Sequence, residues 1–315
     1  MNIFVTGGNG MVARNICKMA EVNGHNVEAP TREQLDLLNL DAVRQHLVKS
    51  SPDIVIHAAG LVGGIQANIA SPFDFCYQNL QIGLNIIKAS FDANINSLIN
   101  LGSSCMYPRL AKNPLKESEI LMGELESTNE GYAVAKIAVA RMAQYISEQH
   151  GLRYKTIIPC NLYGMWDKFD PEKSHMIPAV IRKIHEASVN NNDIVEIWGD
   201  GQARREFLFV EDLVDFIFFV LEHFDDVPDT INVGLGYDYS VNEYYETIKG
   251  VIGFQGSFQH DLDKPTGMKQ KLVDVSKQQA LGWRPKTDLK TGIERTYQFF
   301  LNEIANVTTG NNNLG

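Results

Sequence analysis

The stretch that decides the fold is NIFVTGGNGMVA, at residues 2–13. Residues 2–6 are mostly apolar and predict a short buried strand, and the glycines after them predict a tight turn. Apolar residues then recur at helical spacing, at Val12, Ile16, Met19 and Ala20. Gly7, Gly10 and Ala13 therefore stand in the strand–turn–helix setting of a dinucleotide fingerprint, whose glycines let the backbone approach a pyrophosphate. A glycine turn without a ligand is the alternative, and the setting favours the cofactor.

The end of the second predicted strand bears on which cofactor binds. That strand covers residues 26–30 and leads to Thr31 and Arg32. An acidic residue about 20 positions beyond such a fingerprint binds the ribose hydroxyl of NAD, whereas an arginine nearby accommodates the 2′-phosphate of NADP. Arg32 lies at the strand end and Glu28 lies earlier in the strand, so we predict NADP(H). A merely solvated Arg32 is the open alternative.

Strands and helices alternate through the first half of the chain. Strands are predicted at residues 53–60, 97–101 and 154–159, and a helix is predicted at 78–93. Strands that are apolar throughout and alternate with helices indicate a parallel sheet covered on both faces, which is an α/β fold. His57 lies near the end of one strand, and we expect it to hydrogen-bond the backbone and to take no part in catalysis.

A tyrosine and a lysine on one predicted helix carry the chemistry. Tyr132 and Lys136 are four residues apart, so their side chains project from the same face. An ammonium beside a phenol favours the phenolate, and we therefore expect Lys136 to lower the pKa of Tyr132 from about 10 and make it a proton donor to a carbonyl oxygen. Ser103, after a nearby strand, can hydrogen-bond the same oxygen. Surface helices often produce this spacing, so its meaning depends on the upstream fingerprint.

Composition and charge narrow the class of protein. The 315 residues suit two domains or one large α/β unit, with 44% hydrophobic and 21% charged residues. Lys and Arg total 28 against 38 Asp and Glu, a net charge of −10, which argues against nucleic acid or an anionic membrane as partner. The cysteines have no metal-ligand or disulfide spacing. With no apparent signal peptide and no apolar run long enough to cross a bilayer, we expect a cytoplasmic protein.

Several strings carry a family resemblance. Gly7-x-x-Gly10-x-x-Ala13, His57-Ala58-Ala59, Ser103 and Tyr132-x-x-x-Lys136 resemble the extended short-chain dehydrogenase/reductase family of nucleotide-sugar enzymes. Further strings look like its GDP-L-fucose synthase subgroup: LVGGIQAN at 61–68, GSSCMYP at 102–108, NLYG at 161–164, SHMIP at 174–178, WGDG at 198–201, REFL at 205–208 and LGW at 281–283. The resemblance covers the chain from residue 2 to about 302.

The resemblance implies an architecture and partners. It implies a Rossmann-type parallel sheet with a smaller, interleaved α/β C-terminal substrate domain. The NADP-binding domain would comprise residues 1–164 plus about 204–235, and the sugar-nucleotide domain about 165–203 plus 236–305. We expect the polar tail at 306–315 to be disordered. NADPH as hydride donor, a GDP-4-keto sugar as substrate and a homodimer through the predicted helices at 78–93 and around Tyr132 are also implied.

The resemblance further implies the catalytic roles. The cofactor would deliver hydride to C4 of a 4-keto sugar while Tyr132 protonates the oxygen, Ser103 holds it and Lys136 binds the nicotinamide ribose. Before reduction, Cys105 and His175 would exchange the protons at C3 and C5, since thiol and imidazole are proton carriers near neutral pH. The structural alternatives are a small buried residue for Cys105 and a helix-capping loop residue for His175.

The binding residues form two groups. By resemblance, the cofactor-binding residues are Gly7, Gly10, Met11, Val12, Arg32, Ala58, Ala59, Lys136, Asn161, Leu162 and His175. Cations suit a diphosphate within an acidic protein, and an indole packs on a base or sugar. The substrate-binding candidates are accordingly Lys183, Trp198, Arg205 and Lys271, with Arg205 the strongest and Arg204 expected to be solvated.

Two departures from the subgroup leave alternatives open. Gly131 stands where a proline commonly precedes the tyrosine, and MWDKF at 165–169 replaces Pro-His-Asp-Asn-Phe. The altered loop should lie near the sugar, so a dedicated C4 reductase of another GDP-4-keto sugar, such as a heptose, is one alternative. A non-catalytic NADP-binding regulatory protein is another, which the complete set of Ser103, Tyr132 and Lys136 disfavours.

Overall fold

The structure is a computed structural model that describes residues 1–170, 174–264 and 268–310, except for the side chains of 306–310. Its strands are β1 (Asn2–Val5), β2 (Asn26–Glu28), β3 (Ile54–His57), β4 (Ser97–Leu101), β5 (Arg153–Pro159), β6 (Asn161–Tyr163), β7 (Ile194–Trp198), β8 (Arg204–Arg205), β9 (Phe207–Phe209), β10 (Thr230–Val233), β11 (Tyr239–Ser240), β12 (Ser257–Asp261) and β13 (Gln270–Lys271). Its α-helices are α1 (Met11–Val22), α2 (Leu40–Ser50), α3 (Ile65–Ala70), α4 (Pro72–Asp92), α5 (Glu130–His150), α6 (Met176–Val189), α7 (Val210–Glu222), α8 (Val241–Ile252), α9 (Ser276–Ala280) and α10 (Leu289–Gly310).

A six-stranded sheet in the order β10-β5-β4-β3-β1-β2 is the centre of the fold. Every neighbouring pair is parallel, which confirms the predicted α/β architecture of Rossmann type. The chain moves from β1 outward to β2 and then returns across β1 to β3. The crevice between the carboxyl ends of β1 and β3 is therefore the topological switch point, where ligands bind in such sheets.

Helices cover both faces of this sheet. Helix α1 packs with α7 on one face, and α2, α4 and α5 pack together on the other, around Val43, Ile86 and Val139. The helix predicted at 78–93 begins earlier than expected, at Pro72. Proline suits the first turn of a helix because its missing N–H needs no partner there, so α4 can start at this residue, six positions before the predicted start.

A second hydrophobic core lies among α6, α8, α10 and the parallel pair β7–β12. The short strand β8 is bracketed by β11 and β13, and β6 pairs with β9. Tyr163 and Phe209, from segments expected in the NADP-binding domain, contribute side chains to this second core. The two predicted domains are thus interleaved, and their boundaries stay a prediction.

The C-terminal helix runs to Gly310 and so covers the first half of the tail for which disorder was expected. The rest of that tail, 311–315, lies outside the described residues. Among the helices that the structure describes, none combines the length and apolarity needed to cross a membrane.

Candidate active site

The glycine turn after β1 brings the backbone close to the end of β3. Gly7 has φ +80°, and a Cβ there would lie 3.0 Å from the Ala59 Cα. Gly10 precedes α1 and donates its N–H to the Gly7 carbonyl at 2.7 Å. Glycine is required at Gly7 by both conformation and space. The first N–H groups of α1 face the cavity without a capping side chain, as binding of a pyrophosphate requires.

Thr6 joins this turn to β3 through its hydroxyl. The Thr6 Oγ1 accepts hydrogen bonds from Ala58 N at 3.0 Å and Ala59 N at 2.9 Å. Its single proton then goes to His57 Nδ1, 2.9 Å away. Burial, followed by the charge of Lys136, lowers the pKa of His57 to about 3, so the ring is neutral. The predicted backbone partner of His57 was wrong, because the Thr6 hydroxyl takes that place.

Tyr132 and Lys136 lie on the first turns of α5, as predicted. The Lys136 Nζ donates to the Leu101 carbonyl at 2.9 Å and lies 5.8 Å from the centre of the Tyr132 ring. Burial, followed by the charge of Cys105, raises the pKa of Tyr132, and a hydrogen bond with Ser103 only partly offsets this. The predicted lowering of the Tyr132 pKa by Lys136 is therefore wrong, because burial outweighs it. Burial also lowers the pKa of Lys136 to about 8.

Cys105 lies opposite this pair in a short 3₁₀ turn, Ser104–Met106. Its Sγ accepts a hydrogen bond from Asn129 Nδ2 at 3.2 Å and lies 3.5 Å from Lys271 Nζ. The sequence did not single out Asn129. It lies 24 residues away, at the end of the 3₁₀ turn Ser127–Asn129 before α5, and the pattern carried no signal for this contact.

His175 lies directly before α6 and lines the same cavity as Cys105. Its side chain does not cap the helix, so the capping alternative is not found. Burial, followed by the charges of Lys168 and Lys271, lowers the pKa of His175. A neutral imidazole at neutral pH can accept a proton from a neighbouring acid.

One cavity of about 470 Å³ collects most of the predicted site residues. From the cofactor and catalytic groups its lining includes Gly10, Met11, Val12, Ala58, Ala59, Ser103, Cys105, Tyr132, Lys136, Asn161, Leu162 and His175. From the substrate group it includes Arg205 and Lys271, which are register partners on β8 and β13. Residues distant in sequence thus meet at the carboxyl edge of the sheet.

Gly7 lies in the turn beside Gly10 but outside the described lining of this cavity, and three further predicted residues lie away from it. Arg32 is exposed in the turn after β2. Lys183 donates from Nζ to the Glu196 carbonyl at 2.8 Å. Trp198 is 46% exposed and lies under the Lys264 ammonium, 5.7 Å from the centre of its ring. Within the described chain, these side chains do not share the cavity with Tyr132.

The loop between β6 and α6, whose sequence at 165–169 differs from the subgroup, also lines the cavity. It does so through Trp166, Asp167 and Lys168. Burial raises the pKa of Asp167 to about 7. No role was predicted for Asp167 and Lys168, because the sequence indicated only that the altered loop lies near the sugar. Their proximity to His175 depends on how the loop folds back, which local pattern does not encode.

Gly131, the other departure, is explained by packing. A Cβ at Gly131 would lie 2.7 Å from the Pro72 carbonyl oxygen, at the start of α4. Glycine therefore lets α5 begin against α4 at this point.

Comparison with known proteins places these features in context. The model of the NAD dependent epimerase/dehydratase family matches residues 3–234. A GDP-L-colitose synthase of Yersinia pseudotuberculosis is 50% identical over 307 residues, which are 97% of this chain and 100% of that protein. A GDP-L-fucose synthase of Azorhizobium caulinodans is 48% identical over 304 residues, which are 96% of this chain and 97% of the other.

Solved structures agree with this similarity. A GDP-6-OMe-4-keto-L-xylo-heptose reductase from C. jejuni superposes with a TM-score of 0.91 at 33% identity, covering 96% of this chain and 98% of that one. A GDP-mannoheptose C4 reductase from Campylobacter jejuni, solved with NADP bound, gives a TM-score of 0.87 at 34% identity, covering 95% and 98%.

Proposed function

The chain belongs to the NAD dependent epimerase/dehydratase family, and from this premise we propose that it uses NADPH to reduce the C4 ketone of a GDP-4-keto sugar. The sugar is a 6-deoxyhexose or a related heptose. One observation carries the proposal: Ser103, Tyr132 and Lys136 line one cavity together with Cys105 and His175. Full-length similarity to GDP-sugar synthases and to GDP-heptose reductases supports it.

The reduction requires a proton donor beside the ketone oxygen. When bound, NADPH supplies a hydride to C4. Tyr132 gives its phenolic proton to the oxygen on which negative charge develops, and Ser103 hydrogen-bonds that oxygen. Burial supports this role, because a raised pKa keeps Tyr132 protonated at neutral pH. Lys136, with a pKa of about 8, is mostly cationic there and stabilises the tyrosine once its proton has left.

The residues of the glycine turn fit the cofactor. Gly7 shapes the turn, and Gly10, Met11 and Val12 present backbone N–H groups to the pyrophosphate. Ala58 and Ala59 are small enough for close approach, and the lining residues Asn161, Leu162, Lys136 and His175 would hold the nicotinamide end. We assign the 2′-phosphate to Arg32, whose exposed guanidinium at the end of β2 is where the fingerprint geometry requires a cation.

Epimerisation before reduction is part of the proposal. The C4 ketone acidifies the protons at C3 and C5, and inversion needs one group to remove a proton and another to return one on the opposite face. Cys105 and His175 are two such groups in the same cavity. Arg205 and Lys271 bind the diphosphate or sugar, whereas Lys183 and Trp198 are candidates for the outer part of the nucleotide.

A dedicated C4 reductase of a GDP-4-keto-heptose is the second candidate. The altered loop with Trp166 lines the cavity, and the similar solved structures include heptose reductases. In such an enzyme Cys105 and His175 are present without exchanging protons.

We also propose a cytoplasmic homodimer. Helices α4 and α5 pack together and expose Phe73, Tyr77 and Tyr145 on their outer surface, with the first two rings stacked at 5.5 Å. Large exposed apolar side chains on adjacent helices are typical of a subunit interface. The four free cysteines agree with a reducing compartment.

The deciding experiment is incubation with GDP-4-keto-6-deoxymannose in deuterated water, first without and then with NADPH, followed by NMR. Deuterium at C3 and C5, with reduction at C4 after NADPH is added, supports the full proposal. Reduction without exchange supports the dedicated reductase. Failure to oxidise NADPH with this sugar and with its heptose counterpart contradicts the proposal.

A further inference from the structure

The loop of residues 164–170 has a fixed shape. Gly164 has φ +145°, and Trp166 adopts the left-handed value of +63°. The Trp166 ring packs edge-on against Phe299 at 5.8 Å, and Asn15 Nδ2 donates to the Met165 carbonyl at 3.3 Å. A non-glycine residue in the left-handed region costs on the order of 1 kcal/mol, which these contacts from α1 and α10 offset. The loop therefore presents a defined surface to the cavity.

That surface contains an incompletely bonded carboxylate. The Asp167 Oδ1 accepts a hydrogen bond from Lys168 N at 2.8 Å, whereas Oδ2 is buried and has no hydrogen-bond partner among the described residues. A buried carboxylate oxygen without a donor is destabilising, and such an atom in a native protein calls for an explanation. Asp167 lines the active-site cavity, so a bound ligand can supply the missing donor.

The charges around the cavity indicate which part of the ligand this is. A carboxylate repels a diphosphate, and the cavity has Arg205 and Lys271 for that anion. Asp167 and Lys168 line the same cavity as Cys105 and His175, so this end of the loop borders the space between the two proposed proton carriers. A sugar hydroxyl is a neutral donor of suitable size.

We propose that Asp167 accepts a hydrogen bond from a hydroxyl group of the substrate's sugar and so helps to determine which sugar is bound. This inference rests on the proposed function, because it takes the ligand to be a GDP-sugar. The other charged or titratable groups that line the cavity include Glu126, Lys136, Lys168, His175, Arg205 and Lys271. Of these, Lys168 favours the ionised form of Asp167, and burial opposes it.

The test compares Asp167→Asn with wild type by calorimetry in the presence of saturating NADP at pH 8, where a carboxyl with a pKa of about 7 is mostly ionised. Each protein is titrated with GDP and with GDP-mannose, and the ratio of the two Kd values reports what the sugar contributes. Asparagine keeps the size and the acceptor for Lys168 N but places an amide donor at the position of Oδ2. We expect the ratio of the Kd for GDP to the Kd for GDP-mannose to fall about 10- to 100-fold, which is the range for a hydrogen bond to a charged group. The Kd values for GDP and NADP should be unchanged.

The matched control is Asp170→Asn, which makes the same change at an exposed position of the same loop, outside the described lining of the cavity. It should leave the ratio as in wild type. An unchanged ratio in Asp167→Asn, a loss of NADP affinity in place of sugar affinity, or an equal loss in the control overturns the inference. So does a wild-type protein that binds GDP-mannose no better than GDP.

Turnover separates this inference from the proposed function. With GDP-4-keto-6-deoxymannose, Asp167→Asn should raise KM about 10- to 100-fold and leave kcat within a few-fold, because the contact is made before and during reaction alike. Repeating the assay with the 3-deoxy sugar identifies the hydroxyl. If the C3 hydroxyl is the donor, Asp167→Asn and wild type should have the same KM for this sugar. If wild type reduces no GDP-4-keto sugar, the proposed function fails, and the calorimetric ratio still decides the contact.

Discussion

Replacing Thr6 with valine should destabilise the protein strongly, although the two side chains have almost the same shape. The Thr6 hydroxyl accepts from Ala58 N and Ala59 N and donates to His57 Nδ1, so the substitution removes three hydrogen bonds. Each is worth about 1 kcal/mol net, and the abandoned groups lie at the buried carboxyl end of β3. We expect the free energy of unfolding to fall by about 3 kcal/mol.

The assay is urea unfolding at 25 °C followed by circular dichroism, with Thr6→Ser as the matched control. Serine keeps the hydroxyl and loses one buried methyl group, so it should cost only about 1 kcal/mol. Because the same hydroxyl positions Ala58 and Ala59 against the glycine turn, valine should also weaken NADPH binding, whereas serine should not. A loss below about 1 kcal/mol for valine, or equal losses for the two variants, would refute the assignment of these three bonds.

Four further predictions address the site and its support. Tyr132→Phe should abolish NADPH oxidation yet permit proton exchange beside the ketone, and normal turnover would remove Tyr132 from its role. Arg32→Ala should raise KM for NADPH far more than for NADH; equal effects in steady-state kinetics would contradict the 2′-phosphate assignment. Gly83→Ala should lower the melting temperature, because its Cβ would overlap Val139 where α4 packs on α5; an unchanged Tm would show that this packing can adjust. The pKa of Asp167 is about 7 in the folded protein and near 3.8 when unfolded, so the folded state holds a proton that the unfolded chain releases. Its contribution to stability is present at low pH and lost as pH rises through 7. In thermal melts, Asp167→Asn should therefore be more stable than wild type at pH 8 and should lose that advantage near pH 4. An equal difference in stability at both pH values would contradict the buried carboxyl.

The parts of the fold that depend on local sequence could be predicted. The glycine turn and the Tyr132–Lys136 helix face follow from spacing within a few residues, and the structure confirms both the turn and the helix. The partner of His57 could not be predicted, because Thr6 lies 51 positions away in sequence. The start of α4 was predicted at residue 78, six positions late, although a proline such as Pro72 is favoured in the first turn of a helix.

The electrostatics of the site were the least predictable part. The pKa of Tyr132 depends on burial, and burial depends on how the whole chain packs around α5. The contact of Lys271 with Cys105 joins positions 166 residues apart. Asp167 Oδ2 lacks a hydrogen-bond partner among the described residues because of the shape of its loop, and contacts with α1 and α10 set that shape. A motif identifies the type of residue needed, and tertiary packing sets its protonation and its neighbours.

The pairing of β8 with β13 has a consequence for how this scaffold diversifies. Lys271 contacts Cys105 from β13, and it is also the register partner of Arg205 on β8. The lysine beside the thiol and the arginine proposed for the diphosphate are therefore positioned by the same strand pair. An exchange of the segment from 204 to 271 between homologues would alter both at once. The connection between β6 and α6 has no such tie to β13 among the described pairings. Its described contacts are instead with α1 and α10, so a substitution in this loop can change the surface beside the sugar while the β8–β13 pair stays in place.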